Sequence, residues 1–232
     1  MVHSERDGSI PTCVIAGAGV RLGVAVAERY AREGFAVYAL SRSPDLLANP
    51  VARLRSRGLN VAAIGCLIGD AQSVECAMRK VEGDSGSCDV LVYNAIVEEA
   101  RPATTRTPQR ILEDLALDVT GILGFVNTVI EAMRANGRGA LVFSAYGSAE
   151  RTDAGSTFRS VGRAAVLSLV DRLAEELECV GIRVGMVTID GALPTSKAEL
   201  ESLAELYWDL FFAADCEYER ERCFRTSLPF RS

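Results

Sequence analysis

Residues 12–34 read TCVIAGAGVRLGVAVAERYAREG. A short apolar run, TCVIA, leads into glycines. Apolar residues then recur at helical spacing through VAVAERYAREG, and Gly34 closes the run. That order predicts a buried strand, a tight turn and an amphipathic helix. Glycine is needed where the chain turns sharply and where backbone must approach a pyrophosphate. The helix that follows offers its unpaired N–H groups to the phosphates. Gly17, Gly19 and Gly23, with Arg21 and Leu22 in the same turn, are thus candidates for a dinucleotide phosphate loop.

The same alternation runs on to the C-terminal end. FAVYALSR (35–42), LNVAAIGCLI (59–68), CDVLVYNA (88–95), GALVFSA (139–145) and IRVGMVTID (182–190) read as strands. Between them, PDLLANPVARLRSRG (44–58), DAQSVECAMRKVEG (70–83) and GRAAVLSLVDRLAEELECVG (162–181) read as helices. So does ILEDLALDVTGILGFVNTVIEAMRANG (111–137), with a break expected near Leu117. AELESLAELYWDLFFAA (198–214) is a last helix, and RCFRTSL (222–228) a final edge strand. Continuous apolar strands imply a parallel sheet buried on both faces. Repeated βα units with short connections imply one doubly wound α/β domain, Rossmann-like, over residues 11–232. Residues 1–10 read as a disordered tail. Trp208, Phe211 and Phe212 are expected in the core or an interface.

Bulk properties narrow the function. The chain has 232 residues, 49% of them hydrophobic, and a net charge of −6. No basic, aromatic cluster supports nucleic-acid binding, and no apolar run is long enough to span a bilayer. The seven cysteines fall in no CxxC pair, and His3 is the only histidine. A metal site is therefore not expected. An odd cysteine count with no signal peptide points to a reducing cytoplasm.

The second strand points to a particular nucleotide. A carboxylate near its end would hydrogen-bond the ribose 2′-hydroxyl of NAD. No Asp or Glu lies between Phe35 and Pro44; Arg42 is there, flanked by Ser41 and Ser43. That group suits a 2′-phosphate, so NADP(H) is expected.

Together these stretches resemble the short-chain dehydrogenase/reductase family over nearly the whole chain, nearest a group whose loop reads GAGPGLG. The resemblance implies that Asn94 and Ala95, in DVLVYNA, lie beside the cofactor ribose. It implies that Thr195, in IDGALPT, approaches the nicotinamide amide. It also implies a homodimer or homotetramer built through the helices around 118–135 and 163–179.

The departures from the family pattern concern the chemistry. In STFRSVGR (156–163), Arg159 stands where the family carries its tyrosine acid, and Arg163 where it carries its lysine. The supporting serine falls on Ser144, Ala145 or Tyr146, and the usual asparagine on Asp118. Arg21 replaces the middle glycine of the loop, and Leu67 an adenine-contacting Asp. A guanidinium does not give up its proton near neutral pH, so Arg159 can stabilise an oxyanion but cannot protonate it. Lys80 and Lys197 are the only lysines, so part of the change at 163 is compositional. Tyr146, with Arg163 lowering its pKa, is the first candidate for a substitute acid, and Asp118 the second. Arg163 opens a helix, where positive charge is unfavourable, so a partner such as Asp118 or a ribose is expected.

Three functions remain open: an NADP(H)-dependent oxidoreductase acting on a small carbonyl or alcohol with a rearranged acid; a lyase, isomerase or cyclase on the same scaffold; and a silent nucleotide-binding or assembly partner. Halohydrin dehalogenases share an arginine at the lysine position but keep the tyrosine, so they match poorly.

Overall fold

The computed structural model describes residues 10–95, 107–147, 157–212 and 218–226. Within these, only the backbone is described for Arg110, Asp114, Leu115, Asp118 and residues 157–160. The expected tail therefore lies outside the described residues, apart from Ile10.

Seven parallel strands make one sheet in the order β3-β2-β1-β4-β5-β6-β7. They are β1 (Thr12–Ala16), β2 (Ala36–Ser41), β3 (Val61–Gly65), β4 (Val90–Tyr93), β5 (Gly139–Tyr146), β6 (Ile182–Asp190) and β7 (Glu221–Arg225). The helices are α1 (Leu22–Arg32), α2 (Ala48–Arg55), α3 (Ala71–Ser85), α4 (Pro108–Leu115), α5 (Gly121–Asn136), α6 (Thr157–Leu177) and α7 (Lys197–Phe212). The final edge strand read from RCFRTSL is β7, with Glu221 opposite Met186.

Alternate side chains of each strand go to opposite faces. Val14, Leu40, Leu91, Phe143 and Met186 pack under α3, α5 and α6, with Phe125 and Val170. Ile15, Val37, Val92 and Val142 pack under α1, α2 and α7, with Tyr30, Leu54 and Tyr207. Both faces of the sheet are thus apolar, which is why the strands read as unbroken hydrophobic runs. Trp208 stacks on Phe212 and meets Tyr30 and Phe35 edge-on, so the α7 aromatics close the second core.

β1 pairs with β2 on one side and β4 on the other. The chain order reverses there, and a crevice opens beyond the carboxyl ends of these strands. The long helix expected at 111–137 is interrupted at Ala116–Thr120 by a π-helical turn. The Tyr93 hydroxyl donates to the Leu117 carbonyl at 2.6 Å. Gly121 is required beside it, since a Cβ there would lie 2.2 Å from the Tyr93 Oη. The break near Leu117 is therefore clamped from β4.

Candidate functional site

The turn after β1 is built by its glycines. Gly17 has φ +82°, and a Cβ on it would lie 2.6 Å from the Ala95 backbone nitrogen. Any other residue there is both strained and blocked. A Cβ on Gly23 would lie 2.6 Å from the Ala18 Cα, so this glycine seats α1 against the turn. Gly19 differs: nothing lies within 4 Å of its missing Cβ. It faces open space at the start of α1, where N–H groups are unpaired.

That space is a cleft of about 1020 Å³ at the carboxyl ends of β1 to β5. Its walls include Gly17, Gly19, Arg21, Leu22, Gly23, Arg42, Asn94, Ala95 and Tyr146. Nine of the residues picked from sequence are thus brought together. Leu67, aligned in sequence with an adenine-contacting Asp, is also in the lining, and the structure adds Leu46, Ile68, Glu113, Leu117 and Leu193. Glu113 and Leu117 stand four apart on one helical face, a spacing that could have marked them. Leu193 carries no such signal, because it reaches the cleft only through the short link from β6 to α7.

Two cations stand in the cleft. Among the described residues, neither Arg21 nor Arg42 has a carboxylate within ion-pair distance. Several arginines elsewhere are paired, Arg29 with Glu33 and Glu205, Arg32 with Glu28 and Arg220 with Glu178. Arg21 instead donates to the Leu193 carbonyl at 3.4 Å, reaching from the glycine turn to the opposite wall. Arg42 is exposed, on a turn fixed by the Ser43 N–H donating to Ser41 Oγ at 3.2 Å.

At the far end, Leu46 and Leu67 are 66% and 58% exposed, so the cleft offers apolar surface there. The Leu67 N–H donates to Ser73 Oγ, and Ser73 N–H to the Asp70 carboxylate. Asp70 thus caps α3, and Ser73 ties the preceding turn at Leu67 to the first turn of the helix. Cys66 also lines the cleft, but burial pushes its thiol pKa up and keeps it neutral. It is not an activated nucleophile.

Ser144 and Arg163 are not in the lining. Ser144 is buried and donates to Asn94 Oδ1 at 2.9 Å. The Arg163 guanidinium, on α6, pairs with Glu221 on β7 at 2.5 Å. Glu221 also accepts from the Thr188 hydroxyl at 2.6 Å. A partner such as Asp118 or a ribose was expected for Arg163; its partner among the described side chains is Glu221 at the sheet edge. Thr195 is exposed and likewise outside the lining. The side chains of Arg159 and Asp118 lie outside the described residues.

A family model described as short chain dehydrogenase matches residues 11–202. The short-chain reductase protein NovJ of Streptomyces niveus is 31% identical over 175 residues, which are 75% of this chain and 66% of NovJ. About a third of that relative thus lies outside the match. The human dehydrogenase/reductase SDR family member 2, mitochondrial, is 29% identical over 210 residues, 89% of this chain and 74% of the relative. A metagenomic short-chain oxidoreductase solved in complex with NADP superposes with a TM-score of 0.83 at 22% identity, covering 95% of this chain and 99% of its own. The chain belongs to the short-chain dehydrogenase family.

Proposed function

We propose that the chain binds NADP(H) in the cleft and carries out slow carbonyl reduction, with Tyr146 as the proton donor. The observation that carries the reading is the pair Arg21 and Arg42. Two guanidiniums with no acidic partner among the described residues flank the open Gly19 backbone, in a chain of net charge −6. Arg42 would hold the 2′-phosphate, and Arg21 with the α1 N-terminus the pyrophosphate. Asn94 and Ala95 would face the ribose, and Leu46 and Leu67 the adenine. The solved relative that holds NADP supports this assignment.

The cofactor supplies the hydride when bound. Tyr146, the phenol among the described lining residues, would protonate the carbonyl oxygen as it becomes an alcohol. The resulting tyrosinate recovers its proton from solvent at the cleft mouth. Arg163, which the resemblance puts in the place of the family's lysine, is paired with Glu221. That is the reason for expecting slow turnover. A positioned acid contributes roughly 10²–10⁴-fold. Tyr146→Phe should abolish NADPH consumption with a panel of small aldehydes and ketones. Unchanged turnover would remove Tyr146 from the mechanism.

The Arg163–Glu221 pair also favours a second reading: a nucleotide-binding assembly partner without turnover. NADPH binding with no consumption across the panel would select it.

A further inference from the structure

Asn94 follows β4, and both ends of its side-chain amide are bonded. Nδ2 donates to the Gly17 carbonyl at 3.2 Å, and Oδ1 accepts from Ser144 Oγ at 2.9 Å. The orientation of the amide is fixed, because the Gly17 carbonyl can only accept. Ser144 Oγ also meets the Tyr207 hydroxyl at 2.8 Å. A serine has one hydroxyl proton, and here Asn94 Oδ1 takes it. Tyr207 must therefore be the donor to Ser144. The chain has one direction: Tyr207 to Ser144, Ser144 to Asn94, Asn94 to Gly17.

These groups are buried, with Tyr207 at 0% and Ser144 at 4% exposure. A hydroxyl in such an interior is costly unless it is bonded. Burial also pushes the Tyr207 phenol pKa up, so it remains a donor. Tyr207 is tied to the turn from its other side as well. The Tyr30 hydroxyl, on α1, donates to the Tyr207 carbonyl at 2.9 Å. One residue of α7 thus connects to both limbs of the glycine turn: to Gly17 through the relay, and to α1 through Tyr30.

We propose that Tyr207 and Ser144 are positioning residues that hold the Gly17–Gly19 backbone in its anion-binding conformation before any ligand arrives. The proposal rests on the NADP(H) reading for its purpose, though not for its geometry. A turn fixed in advance spares the ligand the cost of ordering it. The turn's own anchors are the Gly17 and Ala18 N–H groups, both bonded to the Leu40 carbonyl. Their exchange with solvent reports whether the turn is held.

The test uses the full chain with Tyr207→Phe, Ser144→Ala and Ser144→Thr. Hydrogen exchange without ligand should quicken at residues 17–23 in the first two variants, with α5 and β5 as in wild type. NADPH should bind them about fivefold more weakly, the share of one buried hydrogen bond. Adenosine 2′-monophosphate, which needs Arg42 but not the turn, should bind as before. Ser144→Thr keeps the hydroxyl and should restore NADPH affinity. Exchange at 17–23 unchanged in both Tyr207→Phe and Ser144→Ala overturns the relay, as does quickening spread through the whole domain. A wild type that takes no NADPH overturns the cofactor reading, and the exchange result still decides the relay.

Discussion

Arg42 is the side chain we propose to select the cofactor. It sits at the end of β2, exposed, in a cleft where the described residues give it no carboxylate. A fixed positive charge there favours a phosphate on the ribose over a free hydroxyl. Arg42→Ala should weaken NADPH about tenfold or more, the worth of a charge-assisted hydrogen bond. NADH affinity should stay as in wild type, and paired fluorescence titrations would show both. Arg42 was legible in the sequence because local order alone decides its place. The glycine turn was legible for the same reason. Ser144 was not: its burial and its bond to Asn94 depend on β4 and β5 lying side by side, which a single strand's pattern does not encode.

Among the elements, α6 departs most from its family resemblance. Sequence spacing puts Arg163 at the lysine position and suggests the cleft. The side chain goes instead to Glu221 on β7, a carboxylate 58 residues away. Its Nε is buried and has no partner among the described residues. An ion pair in that setting holds α6 to the sheet edge, and breaking it by removing one partner is costly. Arg163→Ala should lower the thermal midpoint by several degrees, from a loss of about 2 kcal/mol. NADPH affinity should be unchanged; a marked rise in its dissociation constant would return Arg163 to the ribose. No residue within α6 signals this pairing, since Glu221 lies on the last strand. The π-helical turn at 116–120 was partly legible, as a helix too long to run unbroken through LDVTG. Its clamp, Tyr93 on Leu117, depends on tertiary contact.

For the whole molecule, the sheet order and the two cores explain why the strand pattern was so readable. Both faces of every central strand are buried, so hydrophobic runs and fold coincide. The core also holds ionisable groups in their neutral forms. Burial raises the pKa of the Cys13 thiol and of the Tyr30 and Tyr207 phenols. The unfolded chain ionises them near their ordinary values, about 8.5 for Cys and 10 for Tyr. Unfolding then releases protons, so stability is full below that range and falls as pH rises through it. Urea midpoints should be flat from pH 6 to 8 and drop by pH 10.5; Cys13→Ala should delay the fall. We also propose assembly through α5 and α6, where Val161 is 46% exposed and Ile130 and Leu167 are half-buried. Light scattering should give two or four chain masses, and Val161→Glu should reduce that number.

The cofactor assignment is central, and fluorescence titration of the wild-type chain with NADPH, run beside NADH, tests it most directly. Saturable NADPH binding in the micromolar range, at least tenfold tighter than NADH, is the expected result. No binding at high micromolar NADPH, or a preference for NADH, would contradict it.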